Sequence, residues 1–335
     1  MNQITTKQNP MGGPGREEEL PGTGKSRRRF LKSTPLAGAA IAFGGFPERG
    51  LSADSGSEAA EAGSNPLCVF NKPLQHLGYD EQADLVAELG FDGIEGTVRK
   101  GGHVEPEKVE EDLPRQIEAL RARGLEMTVM TTDVDSVESA LHRKVLETAA
   151  ALGVKRFRMG ALKYSYDRPI VEQVEEIRTT FEDFVAFCAP LGLQPLYQNH
   201  AGPGRFGAAI WDLHSILEDT DPSKVGIAFD IRHATVEGGQ SWPTEFHLVR
   251  PHFGVVYCKD FVWEPSEGRP KNVPLGTGRV DYPKFVSMLK KSDYRGPISL
   301  HMEYKNHRDP ELLEESIAAI REDRKALLGF MKGER

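Results

Sequence analysis

Five stretches of this 335-residue chain end an apolar run with side chains able to hold, donate or accept a proton. They are Glu95, which closes Phe91-Asp92-Gly93-Ile94-Glu95; Gln198-Asn199-His200; Asp230-Ile231-Arg232-His233; Tyr257-Cys258-Lys259-Asp260; and His301-Met302-Glu303-Tyr304. Carboxylates and imidazoles carry protons in catalysis, and a buried lysine either turns into a base or stays charged and stabilises an oxyanion. Each residue also has a plainer reading. Asp230 suits a helix N-cap, His233 suits a hydrogen-bonded structural histidine, and Lys259 suits a salt bridge to Glu95 or Asp230. Five such endings meeting in one concavity are the signature of a site.

What must position them is a set of short β-rich segments alternating with amphipathic helical stretches, the pattern of parallel βαβ units. Four helical stretches stop at a glycine that leads straight into an apolar segment: Gly90, Gly124, Gly153 and Gly192. Glycine there supplies the left-handed turn that ends a helix. The expected strands are residues 67–70, 93–95, 126–131, 156–159, 195–198, 225–230, 254–259 and 297–303, each followed by a helix. Eight units predict a closed (β/α)8 TIM barrel, with its chemistry at the C-terminal strand ends. A doubly wound sheet competes, but no GxGxxG turn follows the first strand. Alternation along a strand predicts that Gln198 and His200 share a face, as do Tyr257 and Lys259, and likewise Ser299, His301 and Glu303. Residues 274–278, Pro-Leu-Gly-Thr-Gly, read as a loop framing the pocket, with Arg279 an anion contact by analogy with barrel phosphate sites. Trp211, Trp242 and Trp263 suit either sugar stacking or packing between helices.

With 39% hydrophobic residues the chain supports a large core, and its net charge of −8 argues against nucleic acid as a partner. Cys68, Cys188 and Cys258 sit in apolar runs with no paired spacing, so they read as buried small hydrophobes. Ser26-Arg27-Arg28-Arg29-Phe30-Leu31-Lys32 resembles a twin-arginine signal, and the weakly hydrophobic run behind it is too short to span a membrane. Residues 1–53 are therefore expected to be a signal peptide read by the Tat translocase, 54–65 a disordered linker, and 66–335 the barrel, exported to the periplasm or beyond. Residues 1–53 hold eight Lys/Arg and four Asp/Glu, so the exported remainder carries −12.

The motifs ending in Glu95, Asp230-Ile231-Arg232-His233 and Tyr257-Cys258-Lys259-Asp260, with the run from Pro274 to Asp281, resemble the xylose-isomerase-like barrels over residues 66–331. That resemblance implies a divalent ion held by Glu, Asp, His and Glu from strands five to eight, with glutamates moving a proton beside a sugar carbonyl. The matching positions here are Gln198, Asp230, Tyr257 and His301, of which Asp230 alone keeps the family's residue. Gln198 cannot take a proton as a carboxylate does, and a phenol is a poor metal ligand at neutral pH. His200 and Glu303 lie two residues further on, so the expectation is a displaced metal set of Asp230, His301, Glu303 and His200 for Mn, Zn, Mg or Co. Glu95, His200 and Lys259 are the expected acid–base groups. Gln198, His233, Tyr257 and Arg279 are expected to contact a sugar or polyol substrate. Isomerisation or epimerisation is the leading reaction class. A metal-free lyase and a sugar-binding protein without turnover remain open beside it.

Overall fold

The four helix-stopping glycines adopt positive φ as expected: 75° at Gly90, 70° at Gly124, 80° at Gly153 and 65° at Gly192. The computed structural model describes residues 65–266 and 268–334. The expected signal segment 1–53 and nearly all of the linker 54–65 lie outside those residues. Asn65 is already fixed, donating to the carbonyls of Gly296 (2.8 Å) and Tyr294 (3.2 Å).

In chain order the elements are β1 (Leu67–Phe70), α1 (Tyr79–Glu88), β2 (Gly93–Val98), α2 (Val109–Arg121), β3 (Glu126–Thr132), α3 (Ala140–Ala151), β4 (Arg156–Arg158), α4 (Ile170–Cys188), β5 (Gln194–Gln198) and α5 (Trp211–Leu217). They continue with β6 (Gly226–Asp230), α6 (Ile231–Gly238), α7 (Trp242–Val249), β7 (Phe253–Cys258), β8 (Asp260–Glu264), β9 (Arg269–Val273), α8 (Tyr282–Lys291), β10 (Ile298–Leu300) and α9 (Leu313–Lys332). Eight parallel strands close in the order β1-β10-β7-β6-β5-β4-β3-β2, the (β/α)8 barrel expected. The antiparallel hairpin β8–β9 is an addition in what reads from sequence as a plain loop after the seventh strand.

Two strand ends differ from expectation, and both matter for the site. The final barrel strand stops at Leu300, so His301 and Glu303 extend from its end rather than lying inside it. Strand β7 stops at Cys258, which puts Lys259 at the turn into β8 instead of mid-strand. The backbone still tracks the neighbouring strand there, since His301 N–H donates to the Cys258 carbonyl at 2.9 Å.

Alternation divides the strand residues as a barrel requires. Ile227 and Phe229 face outward into the large core, where Phe229 packs on Phe246, Phe253 and Phe285. Ala228 joins Val129, Leu196, Val255 and Tyr257 in a separate cluster contributed by four strands. Asp230, Gln198 and Thr131 follow those residues by two on the same faces, so this cluster is the floor beneath them. All three cysteines are free and buried. Trp242 is buried against Phe285, whereas Trp211 and Trp263 are 57% and 48% exposed.

Candidate active site

Asp230 is positioned twice over, because it ends β6 and also caps α6. Its Oδ1 accepts the His233 N–H at 3.1 Å, and Asn199 brackets its backbone, accepting from Asp230 N–H at 2.7 Å and donating to its carbonyl at 3.2 Å. The N-cap reading is therefore correct, and it leaves Oδ2 to face the barrel axis. Oδ2 accepts from Gln198 Nε2 at 2.8 Å and from Lys259 Nζ at 3.0 Å. Gln198 in turn accepts from Arg158 Nη1 at 2.8 Å.

Lys259 is 5% exposed and also donates to Glu303 Oε2 at 2.9 Å, while Glu303 Oε1 meets Lys72 Nζ at 3.0 Å. Burial disfavours the ammonium, but Asp230 and Glu303 outweigh it and raise the proton affinity of Lys259. Glu303 is likewise held well below the carboxylate range: burial opposes this, and Lys259, His301 and Lys72 overcome it. Of the two readings open for Lys259, a base or a charged group, these ion pairs favour the charged one. It is a cation with two carboxylates, Asp230 and Glu303, and the alternative partner Glu95 belongs to a different pair.

That pair is Glu95 with His301. Glu95 is fully buried; Oε2 accepts from Ser299 and from His301 Nε2, both at 2.7 Å, and Oε1 accepts from Thr131. Burial pushes its carboxyl up, yet His301, Arg158 and Thr131 more than offset this and hold it at about 2. His301 moves the other way: burial disfavours its charge, but Glu95 and Glu303 raise its proton affinity. Its ring lies between Phe70 (centroids 4.5 Å apart) and Tyr257 (4.3 Å). Glu95 is sealed beneath His301 and does not itself line the cavity above this pair.

A cavity of about 260 Å³ opens above these pairs, at the C-terminal strand ends. Its wall includes Lys72, Arg99, Arg158, Gln198, His200, Arg205, Lys259, His301 and Glu303. A wider hollow of about 740 Å³ lies at the opposite end, lined by strand starts such as Phe253 and Gly254, away from these groups. His200 is held by a bond between Nδ1 and the Ala201 carbonyl at 2.9 Å, which makes Nδ1 the donor and leaves Nε2 with a free lone pair. Burial, then the nearby Lys259 charge, push its proton affinity down to about 4, so it is neutral at neutral pH.

The other expected contacts fall outside the wall. Tyr257 is fully buried in the floor, and burial with the Glu95 charge keeps it a neutral phenol. His233 is 3% exposed, packed against His200 with ring centroids 4.2 Å apart and tilted by 31°, and bonded through Nδ1 to Arg232. Arg279 is exposed, and its backbone N–H donates to the Phe261 carbonyl at 2.8 Å. What organises that loop is Asp260, whose two oxygens accept from the backbone of Phe261, Gly276, Gly278 and Val280. A Cβ at Gly278 would stand 2.3 Å from Asp260 Oδ1, so the loop requires glycine there.

The expected metal set does not fit a divalent ion. An ion shared by Asp230 and Glu303 would have to occupy the place of the Lys259 ammonium, and it would meet the Gln198 amide as a donor rather than a ligand. His301 turns Nε2 to Glu95, and its Nδ1 is 3.7 Å from Glu303. Among the described residues no group of three or more His, Cys, Asp or Glu is arranged to hold a metal.

The arginines and Lys72 were missed in the sequence. Arg158 was legible, since Arg156-Phe157-Arg158 alternates and Phe157 faces the core, but Arg99 and Arg205 sit in loops with no periodic signal.

Comparison with known proteins agrees with the fold. The family model for the xylose isomerase-like TIM barrel matches residues 83–323. The chain is similar to an uncharacterised protein of Methanocaldococcus jannaschii, 28% identical over 123 residues, 36% of this chain and 40% of that protein. It is also similar to a putative L-ribulose-5-phosphate 3-epimerase of Haemophilus influenzae, 39% identical over 59 residues, 17% of this chain and 21% of that protein. The chain thus spans less than half the length of either relative. Among solved structures, that of the IOLI protein with a bound zinc atom superposes with a TM-score of 0.62 at 16% identity, covering 81% of this chain and 99% of that one.

Proposed function

Because the chain belongs to the xylose isomerase-like TIM barrel family, we propose that it is a carbohydrate-acting enzyme of isomerase or epimerase type, moving a proton beside a substrate carbonyl without a metal ion. One observation carries this reading. A neutral histidine with a free lone pair, His200, and a fixed ammonium, Lys259, line the same cavity. Enolisation needs those two partners, a base for the C–H and a cation for the oxygen that gains charge.

His200 Nε2 removes the proton from the carbon next to the carbonyl, and the C–H electron pair moves onto the carbonyl oxygen. Lys259 commits two of its three N–H donors to Asp230 and Glu303, leaving one for that oxygen. His200 then returns the proton to the former carbonyl carbon while the hydroxyl proton of the deprotonated carbon passes to the former carbonyl oxygen, giving isomerisation. Reprotonation of the same carbon on its other face by solvent water, with His200 passing its proton to solvent, gives epimerisation. His301 borders the cavity, but its Nε2 is bonded to Glu95, so its part is to hold Glu95 and the wall in place. Of the other titratable groups of the wall, Lys72 and Glu303 pair, Tyr197 is bonded through its hydroxyl to the Leu162 backbone, the guanidiniums offer no basic lone pair, and Asp133 sits at the exposed rim.

The test is solvent exchange. Keto-sugars incubated with the protein in deuterium oxide should lose a C–H signal by NMR, with and without a chelator. Lys259→Met should slow exchange by about 10²–10³, the usual effect of deleting an oxyanion donor, and circular dichroism checks that it folds. Saturable binding with no exchange would mean a sugar-binding protein. Exchange abolished by chelation and restored by Mn²⁺ would return the metal.

A further inference from the structure

We infer that the cavity takes a substrate bearing an anionic group, a carboxylate or a phosphate, held by Arg99, Arg158 and Arg205. The inference rests on the reading of this cavity as a carbohydrate site and adds the class of sugar.

The chain as a whole carries −8, yet this cavity wall is cationic. The lysines of the wall are balanced, because Lys72 and Lys259 share Glu303, and Lys259 has Asp230 as well. The arginines are not. Arg158 gives Nη1 to the neutral Gln198 amide, and Arg99 lies over the Phe70 ring with its guanidinium carbon 5.9 Å from the centroid. Among the described residues the guanidiniums of Arg99 and Arg205 make no hydrogen bond, although each offers five donors. Asp133 at the rim and the already paired Glu303 and Glu95 act on Arg99 only through space, against repulsion from Arg158. Partly buried like charges with open donors are stabilised when a ligand supplies the missing anion, and a planar or tetrahedral oxyanion fits the guanidinium fork.

The barrel order adds direction. Arg99 follows β2, Arg158 ends β4 and Arg205 follows β5, whereas Lys259 and Glu303 follow β7 and β10 on the other arc. A substrate anchored by its anion on the β2–β5 arc would therefore present a distant carbonyl to Lys259. Anchoring one end fixes the orientation of the other, which a neutral sugar with near-equivalent hydroxyls does not achieve.

The experiment is calorimetric titration of the full chain with D-glucose, D-glucose 6-phosphate and D-glucuronate. At least one anion should bind about tenfold or more tightly than glucose, as charge-assisted bonds imply, and added salt should shrink the gap. Preference for the phosphate or for the uronate identifies the group. Arg99→Gln and Arg205→Gln should each pull the anion-to-glucose ratio toward one. Arg99→Lys, which keeps the charge but not the fork, should retain part of it and serves if the glutamine variants fold poorly. Equal affinity for glucose, a preference that survives these substitutions, or no binding of either anion would overturn the inference. Anion preference without deuterium exchange would remove the proton-transfer reading and leave this one standing. Exchange on neutral keto-sugars with no anion preference would do the reverse.

Discussion

His200 is where residue-scale chemistry and a measurable pH dependence meet. Its Nε2 takes a proton only while free of one, so kcat/KM should fall as pH drops through about 4, and His200→Gln should erase that acid limb. The same substitution should lower kcat by about 10²–10⁴, the usual contribution of a general base. Stopped assays across pH 3–8 check both, and an unchanged acid limb would assign it to another group. Residue identity at the strand ends was legible from sequence: Gln198, His200, Lys259, His301 and Glu303 all reach the cavity wall. Their ionic partners were legible in part: Lys259 meets Asp230, one of its two expected partners, but its second carboxylate is Glu303 rather than Glu95. Which second carboxylate it meets depends on where two strands stop, and a one-residue difference in a strand end reverses the face that a side chain takes.

The loop between β9 and α8 shows the same limit at the scale of elements. Its being a loop was readable from Pro274 and the glycines after it, though none of its residues lines the cavity, and the helix-stopping glycines marked where strands begin. The β8–β9 hairpin and the buried Asp260 inside it were not readable, because four backbone N–H groups converging on one carboxylate leave no spacing pattern. Asp260→Ala would strand those donors in a buried place. With an unsatisfied group costing roughly 1–3 kcal/mol and partial rescue by water, the variant should lose about 3 kcal/mol of stability in urea unfolding. A change under about 0.5 kcal/mol, the range of ordinary surface substitutions, would show that the loop is held by something else. Arg279→Ala, on the exposed side of the same loop, should stay within that range.

For the molecule as a whole, buried ionisable groups set a pH window for stability. His200 and His307 bind protons at about 4 when folded against 6.5 when exposed, so between those values the unfolded chain holds more protons and stability is lost as pH falls. Glu95, at about 2 against 4.5, extends that loss into stronger acid. His301 has the opposite sign: its raised proton affinity contributes fully below 6.5 and is lost as pH rises through its folded value. Melting followed by circular dichroism should show the midpoint dropping from pH 7 to pH 4, and a flat or rising midpoint would mean that burial costs these histidines little. The closure of β1 on β10 also carries a consequence in time. Lys72 and Glu303, 231 positions apart, meet only when the last strand docks on the first. As the chain leaves the ribosome, Asp230 and Lys259 are made well before Glu303, so the unfinished barrel holds an excess of positive charge at its mouth and an open edge on β1. The Lys72–Glu303 pair is thus among the last contacts the chain can make, completed only when the final barrel strand is in place.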